Sequence, residues 1–245
     1  MMRWRGRVLM VKYLLKAGVP IFVFIFLLSS AYSEIQKSRM PKIELSENSW
    51  DFGYVPKDEI VTHTFTIRNA GDDSLFINKI RLSCCCTHLP LLKSRLAPGE
   101  KTEMEIAFNS HKVRGEVEKT VHINSNDTTA QISGIFINAR VGAQNMLVEL
   151  VPDRALFKNG EKGKSVWVKN ISDSFVQVSV VSPPESPVDY KIDDLNIAPF
   201  DSTEISFSKR EGGSQKPFKT SLILDFLGAK KVRCTIPIRT IETRK

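Results

Sequence analysis

The sequence predicts an all-β chain of two tandem β-sandwich domains placed after an N-terminal hydrophobic segment. Three observations lead there. Beyond residue 40, apolar residues recur with a period of 2, the period of strands that bury one face. Clusters of Gly, Pro, Asn and Asp interrupt these runs at short intervals, as turns in an all-β fold require. The chain also matches itself at one constant offset of 101 residues.

The N-terminal segment comes first in the chain. Arg3, Arg5, Arg7, Lys12 and Lys16 supply positive charge without an acidic residue, and Ala17 to Ser33 then runs uncharged through Ile21 to Leu28. A basic start, an apolar middle and a small-residue exit make an export signal. Ala31 and Ser33 are small where a signal peptidase needs them, which places cleavage after Ser33, and Met10 is an alternative start. The rival reading is an uncleaved anchor, since a spanning helix needs about 20 apolar residues and tolerates about 17. Pro20 and the short apolar core speak against it. No Cys follows the apolar stretch to accept a lipid, so residues 1–33 are the only expected route to a membrane. The expected location is extracytoplasmic, periplasmic or secreted, and membrane-anchored if the signal is retained.

Without this segment the charge is unremarkable. The chain carries +8, but five of its 35 basic residues lie in residues 1–33, leaving 30 basic against 27 acidic residues, or +3. A nucleic-acid binder would show a basic stripe interleaved with aromatic residues. None is present, and Lys230-Lys231-Val232-Arg233 reads as a solvated strand end.

Strands can be placed along the first copy. Val61, His63, Phe65 and Ile67 alternate with polar residues, as do Thr102, Met104, Ile106 and Phe108, then Val121 with Ile123 and Ile135 with Ile137. Asn69 to Asp73, Pro98-Gly99 and Ser125 to Asp127 form the turns. The apolar phase slips between Leu75, Ile77 and Ile80, Leu82, which predicts a bulge near Asn78-Lys79. In the second copy Val166 and Val168, then Phe175 to Val180, Ile205 and Phe207, and Leu222 to Phe226 repeat the pattern.

At the offset of 101, Ile67-Arg68-Asn69 falls on Val168-Lys169-Asn170, and Asp72 falls on Asp173. Ala97-Pro98 likewise falls on Ala198-Pro199, and Thr102-Glu103 on Thr203-Glu204. Each copy has about 100 residues, the size of an immunoglobulin-like sandwich. The expected division is a signal over residues 1–33, a linker over 34–42, a first immunoglobulin-like domain over 43–144 and a diverged second one over 145–245.

Trp50 to Val55, Phe65 to Asn69, Ser83-Cys84-Cys85-Cys86-Thr87, Leu96 to Glu100 and Ser125-Asn126 form an ordered set. On these residues the chain, over roughly 43–141, resembles the bacterial family catalogued as domain of unknown function 1573. That family resembles immunoglobulin-like domains of the major sperm protein and ciliary type, so the resemblance implies a sandwich with an adhesive or scaffolding role. The family's usual central motif is Ser-Cys-Gly-Cys-Thr, and Cys85 stands here in place of its Gly, adding a Cβ where a positive φ or a close approach is expected.

The cysteines are the candidate chemistry. Alternation along a strand places Cys84, Cys86 and His88 on one face, a soft-ligand set suited to Cu(I), or to Zn²⁺ with a fourth ligand. Neighbouring thiols could instead cycle through a strained, labile disulfide. The default reading is structural: buried thiols, or disulfides drawn from Cys84, Cys85, Cys86 and Cys234, whose connectivity the sequence does not choose. No cofactor is expected except copper under the metal reading.

Other positions offer less. His63 lies on an apolar face and reads as a satisfied core histidine, and His111 and His122 have no ligand partners at close spacing. Gly160 to Ser165 resembles the end of a phosphate loop but lacks the earlier Gly, with Lys158 in its place, and a strand follows, so it reads as a turn. Trp50 and Trp167 are expected to fill the two cores. No catalytic constellation is found. Two functions follow: a non-catalytic interaction or scaffold protein with a protein partner in the cell envelope, or a thiol protein acting through Cys84 and Cys86.

Overall fold

Every regular element among the described residues is a strand. The computed structural model describes residues 39–83, 86–88, 90–142, 145, 147–158, 160–184, 187–210 and 217–241, the side chains of Thr87 and His88 excepted. Residues 1–33, read as an export signal, lie outside them.

The first half contributes β1 (Ile43–Leu45), β2 (Ser49–Val55), β3 (Ile60–Asn69), β4 (Leu75–Leu82), β5 (Cys86–His88), β6 (Arg95–Leu96), β7 (Lys101–Asn109), β8 (Gly115–Ser125) and β9 (Ile132–Val141). The second half contributes β10 (Val148–Val151), β11 (Ala155–Phe157), β12 (Gly163–Asn170), β13 (Val176–Ser182) and β14 (Val188–Ile192). It continues with β15 (Asn196–Ile197), β16 (Ser202–Lys209), β17 (Lys219–Leu227) and β18 (Lys231–Thr240).

The same pairing scheme occurs twice. One sheet runs β1-β3-β7-β5 and its counterpart runs β10-β12-β16-β14. The orders β9-β8-β4-β6 and β18-β17-β13-β15 also correspond, and both β2–β9 and β11–β18 are parallel pairs. The turn chemistry repeats with the topology. Asn69 Nδ2 donates to the carbonyls of Asp73 and Leu96, while its Oδ1 accepts from Gly71 N. Asn170, 101 residues later, donates to Ser174, Ile197 and Ala198 and accepts from Ser172 N. Each amide side chain satisfies backbone groups of two turns, which explains Asn at both positions.

The period-2 readings place the cores. Val61, Phe65, Ile67, Met104, Ile106, Phe108, Val121, Ile123, Ile135 and Ile137 are buried in the first, and Val166, Val168, Val176, Val178, Ile205 and Phe207 in the second. Each large side chain buried in this way contributes about 1.5–3 kcal/mol. The pairing of β4 with β8 shifts between Ile77 and Lys79, so the bulge falls where the apolar phase slips. The expected packing of Trp167 is corrected. Val166 and Val168 take the inward positions of β12, which leaves Trp167 on the outer face beside Val151 and Glu204, 46% exposed. Phe175 and Val180 are likewise exposed. Trp50 does pack at the margin of the first core.

The two cores are not sealed from each other. A single sheet runs β15-β13-β17-β18-β2-β9-β8-β4-β6 through both halves, joined where Cys234 of β18 bridges Tyr54 of β2. Ile223 of β17 is buried in the first core, and Tyr54 packs against the second. Residues from Met40 onward accordingly form one compact unit.

Candidate functional site

The sequence-derived site is only partly within view. Cys84 and Cys85 lie outside the described residues, as does the side chain of His88. The backbone of Cys86 pairs with Phe108 and that of His88 with Ile106, on edge strand β5. Cys86 is half-buried and packs against the first core. Among the described residues, no group of three or more His, Cys, Asp or Glu side chains is placed to hold a metal ion.

Cys234 sits apart, in the second core. It forms no disulfide, and its sulfur accepts a weak hydrogen bond from Asn145 Nδ2 at 3.8 Å. Burial, reinforced by the charge of Asp225, pushes its thiol up to about 12, so it is neither nucleophile nor ready metal ligand at neutral pH.

The other histidines fall into ordinary roles. His63 bonds Glu47 at 2.6 Å and stacks on Trp50 with ring centroids 3.4 Å apart, a satisfied histidine at the core margin. His111 meets Asp58 at 2.8 Å in an exposed pair that its sequence neighbours did not reveal. Lys164 and Ser165 lie on β12, as a turn-then-strand reading of Gly160 to Ser165 requires.

A dense polar arrangement lies at the junction between the halves, which the sequence reading missed. Residues Phe52 and Gly53 bulge from the β2–β9 ladder, where the register shifts between Asp51 and Tyr54. Gly53 has φ +66°, and a Cβ there would lie 2.2 Å from the carbonyl oxygen of Arg233. Only glycine allows β18 to approach this closely in that conformation. Thr235 Oγ1 donates to Phe52 O at 2.5 Å, and Arg233 Nη1 donates to Asp51 O at 3.1 Å. The Arg233 guanidinium also lies over the Trp50 ring. Asp225 grips Arg233 with both oxygens, at 2.7 and 3.1 Å, and pairs with Lys231. Burial alone would raise the Asp225 carboxyl, but Arg233 and Lys231 outweigh it and hold the group below its usual range. Arg233 is thus a buried-side anchor, which corrects its reading as part of a solvated strand end.

A second lock lies on the other flank. Glu59, with a side chain only 1% exposed, accepts from Arg154 Nη1 at 2.6 Å and from Arg239 Nε and Nη2 at 2.9 and 3.2 Å. Its carboxylate comes from the first half and both guanidiniums from the second. Ser110 fixes the Glu59 backbone, its hydroxyl accepting from the Glu59 N–H at 2.9 Å and its own N–H donating to the Glu59 carbonyl at 2.8 Å. Beside this lock opens a cleft of about 670 Å³ lined by Tyr54, Lys57, Asn145, Leu150, Arg154 and Cys234, among others. The guanidinium of Arg154 is already paired and the thiol of Cys234 protonated, so these groups serve the junction.

No curated protein matches the chain. Among solved structures, a protein of unknown function from Porphyromonas gingivalis W83 is 12% identical with a TM-score of 0.31, over 81% of this chain and 98% of that one. The E. coli chaperone DraB is 13% identical with a TM-score of 0.33, over 79% and 98%. The Pseudomonas aeruginosa CupB2 chaperone is 14% identical with a TM-score of 0.33, over 79% and 98%. Likenesses this distant say nothing of activity. The family match is more specific and falls on the stretch that carries the Trp-Asp-Phe-Gly bulge and the cysteine strand: residues 43–141 match the model of the family described as "Protein of unknown function (DUF1573)".

Proposed function

We propose that this protein is an exported, non-catalytic interaction or scaffold protein of the cell envelope, built from two tandem copies of one immunoglobulin-like sandwich. The observation that carries the reading is the junction. A sheet continuous through both halves, closed by a buried carboxylate between two arginines, makes a stiff body whose loops and strand edges keep a fixed relative position. Stiffness of that kind suits recognition, because little ordering entropy is lost on binding. Export rests on the charge and apolar pattern of residues 1–33.

Edge strand β14, longer than the other edge strands β1, β5, β6, β10 and β15 among the described residues, is the natural place to look for strand addition. Its charged residues Asp189 and Lys191 deter indiscriminate pairing. The test is photocrosslinking in intact cells with the reactive residue at Lys191 on β14, at Phe175 in the loop before β13, or at Glu204 on β16, which has strands on both sides. A discrete adduct from position 191 or 175, absent from 204, in the envelope fraction is the expected result. No adduct from either position, or a chain found only in the cytoplasm, overturns the reading.

A further inference from the structure

The two halves differ most tellingly at one pole. Ala70, Ser74 and Gly99 occupy the loop before β4 and the turn before β7, and their counterparts at the offset of 101 are Ile171, Phe175 and Phe200. These three are 44%, 68% and 75% exposed. Asn170 staples their loops together. Its side chain donates to the carbonyls of Ser174, Ile197 and Ala198, and its N–H donates to Asp201 O at 2.8 Å. The three apolar side chains therefore spring from one small cap.

Phe200 also sits where an aromatic residue is disfavoured. Its φ is +59°, the left-handed region that Gly99 enters freely at φ +79°. Nothing in the fold of the second half is gained by this, because the side chain is largely in water.

The cap loops carry two carboxylates. Asp173 lies between Ile171 and Phe175, and Asp201 follows Phe200. Both are exposed, each carboxylate accepts only a local hydrogen bond, from Ser174 Oγ and Ser202 N, and neither forms an ion pair among the described residues. Apolar area beside unpaired negative charge complements a positively charged apolar segment and repels an anionic lipid surface.

We infer that Ile171, Phe175 and Phe200, with Asp173 and Asp201 beside them, form a docking surface for a basic amphipathic segment of a partner protein. This deepens the interaction reading by naming a surface and the chemistry of its ligand. Crosslinking from Lys191 on β14, unlike that from Phe175, tests that broader reading independently of this pole.

The probe is a short synthetic peptide alternating Leu and Lys, with a Leu and Glu peptide as control, titrated against the chain lacking residues 1–33 and against its Phe175→Ser, Phe200→Gly and Asp173→Asn/Asp201→Asn variants. The Leu and Lys peptide should bind in preference to the control. Each aromatic replacement should weaken it by roughly tenfold, the scale of an interface hot spot. The double Asn variant should weaken it several-fold and flatten its salt dependence. Phe200→Gly keeps the test clean, because it relieves the left-handed strain and should melt no lower than the parent. Equal binding of both peptides, binding unchanged in the variants, binding to phosphatidylglycerol vesicles in place of the peptide, or self-association abolished by the same variants each overturns the proposal.

Discussion

Replacing Glu59 by Ala should uncouple the two halves. The carboxylate receives three charge-assisted hydrogen bonds, one from Arg154 and two from Arg239. Removing one member of a buried ion pair costs about 3–5 kcal/mol when the remaining charge stays buried. Arg154 and Arg239 retain 24% and 30% side-chain exposure, and Arg154 still holds Asp153, so both can recover some hydration. The expected loss is therefore about 3 kcal/mol for Ala, and about 2 kcal/mol for Gln, which keeps the volume and one acceptor oxygen. Urea unfolding followed by fluorescence separates the halves when Trp50 alone or Trp167 alone is retained, since each reports on one core's strands. In the parent the two transitions should coincide. In Glu59→Ala their midpoints should part, because the cores lose the buried carboxylate that links them. A loss under about 0.5 kcal/mol with coincident transitions would refute the view that Glu59 welds the halves.

Other perturbations probe the same architecture. Gly53→Ala places a Cβ 2.2 Å from the Arg233 carbonyl oxygen at φ +66° and should cost about 3 kcal/mol or more by chemical denaturation, whereas Gly115→Ala, left-handed but with open space around it, should cost less. Phe200→Gly should raise stability by about 1 kcal/mol, a melting shift of about 2–4 °C. The carboxyls of Asp225 and Asp127 are held below their usual range: burial opposes the shift in each, and it is overcome by Arg233 and Lys231 at Asp225 and by hydrogen bonds from Thr129, Ile43 and Ala130 at Asp127. A depressed folded-state pKa gives stability that is complete above the unfolded value and is lost as pH falls, so the urea midpoint should drop below about pH 4, and less steeply in Asp225→Asn. Cys234, with its thiol pushed up to about 12, should resist alkylation at pH 8 until the protein unfolds, as mass spectrometry of a variant with no other cysteine would show.

Much of the fold was legible because strand alternation is a local signal. The inward sets of β3, β7, β8 and β9 follow directly from it, and the bulge at Asn78 follows from a phase slip within one strand. Trp167 shows the same rule applied too loosely. Val166 and Val168 already claimed the inward positions, so the period itself sends Trp167 outward, whatever its hydrophobicity. The junction was hidden for a different reason. Glu59 is 95 residues from Arg154 and 180 from Arg239, and a charged residue at a strand start carries no mark of its distant partner. Asp225 did carry one. An acid inside Leu222-Ile-Leu-Asp-Phe226 is a carboxylate in a buried strand, which needs a cation, and the β17–β18 register supplies Arg233 directly opposite. The cysteine segment was conspicuous as a sequence, yet the described part of it, Cys86, is placed by the core against which it packs.

The Trp-Asp-Phe-Gly stretch also explains why the pairing of halves runs in one direction. Strand registers equate Trp50 and Asp51 with Ala155 and Leu156, because the former pair with Ile137 and Asn138 of β9 as the latter pair with Ile238 and Arg239 of β18, and Phe52 follows the one pair as Phe157 follows the other. Phe52 and Phe157 are both fully buried, each in its own core. The next residue differs: Gly53 in the first half, Lys158 in the second. Gly53 bends β2 across its bulge and leaves room for Arg233, so β2 has β9 on one side and β18 on the other. β11 ends at Phe157 and, among the described residues, pairs only with β18. The glycine therefore lets β18 close on the β2 edge of the first half, and the second half has Lys158 at the corresponding position. Putting Lys in place of Gly53 should then destroy the junction while leaving Phe52 in its core, and limited proteolysis between residues 142 and 147 should release two fragments that no longer co-migrate. If those fragments stay associated, the glycine bulge is a local feature of β2 and the continuity of the sheet has another cause.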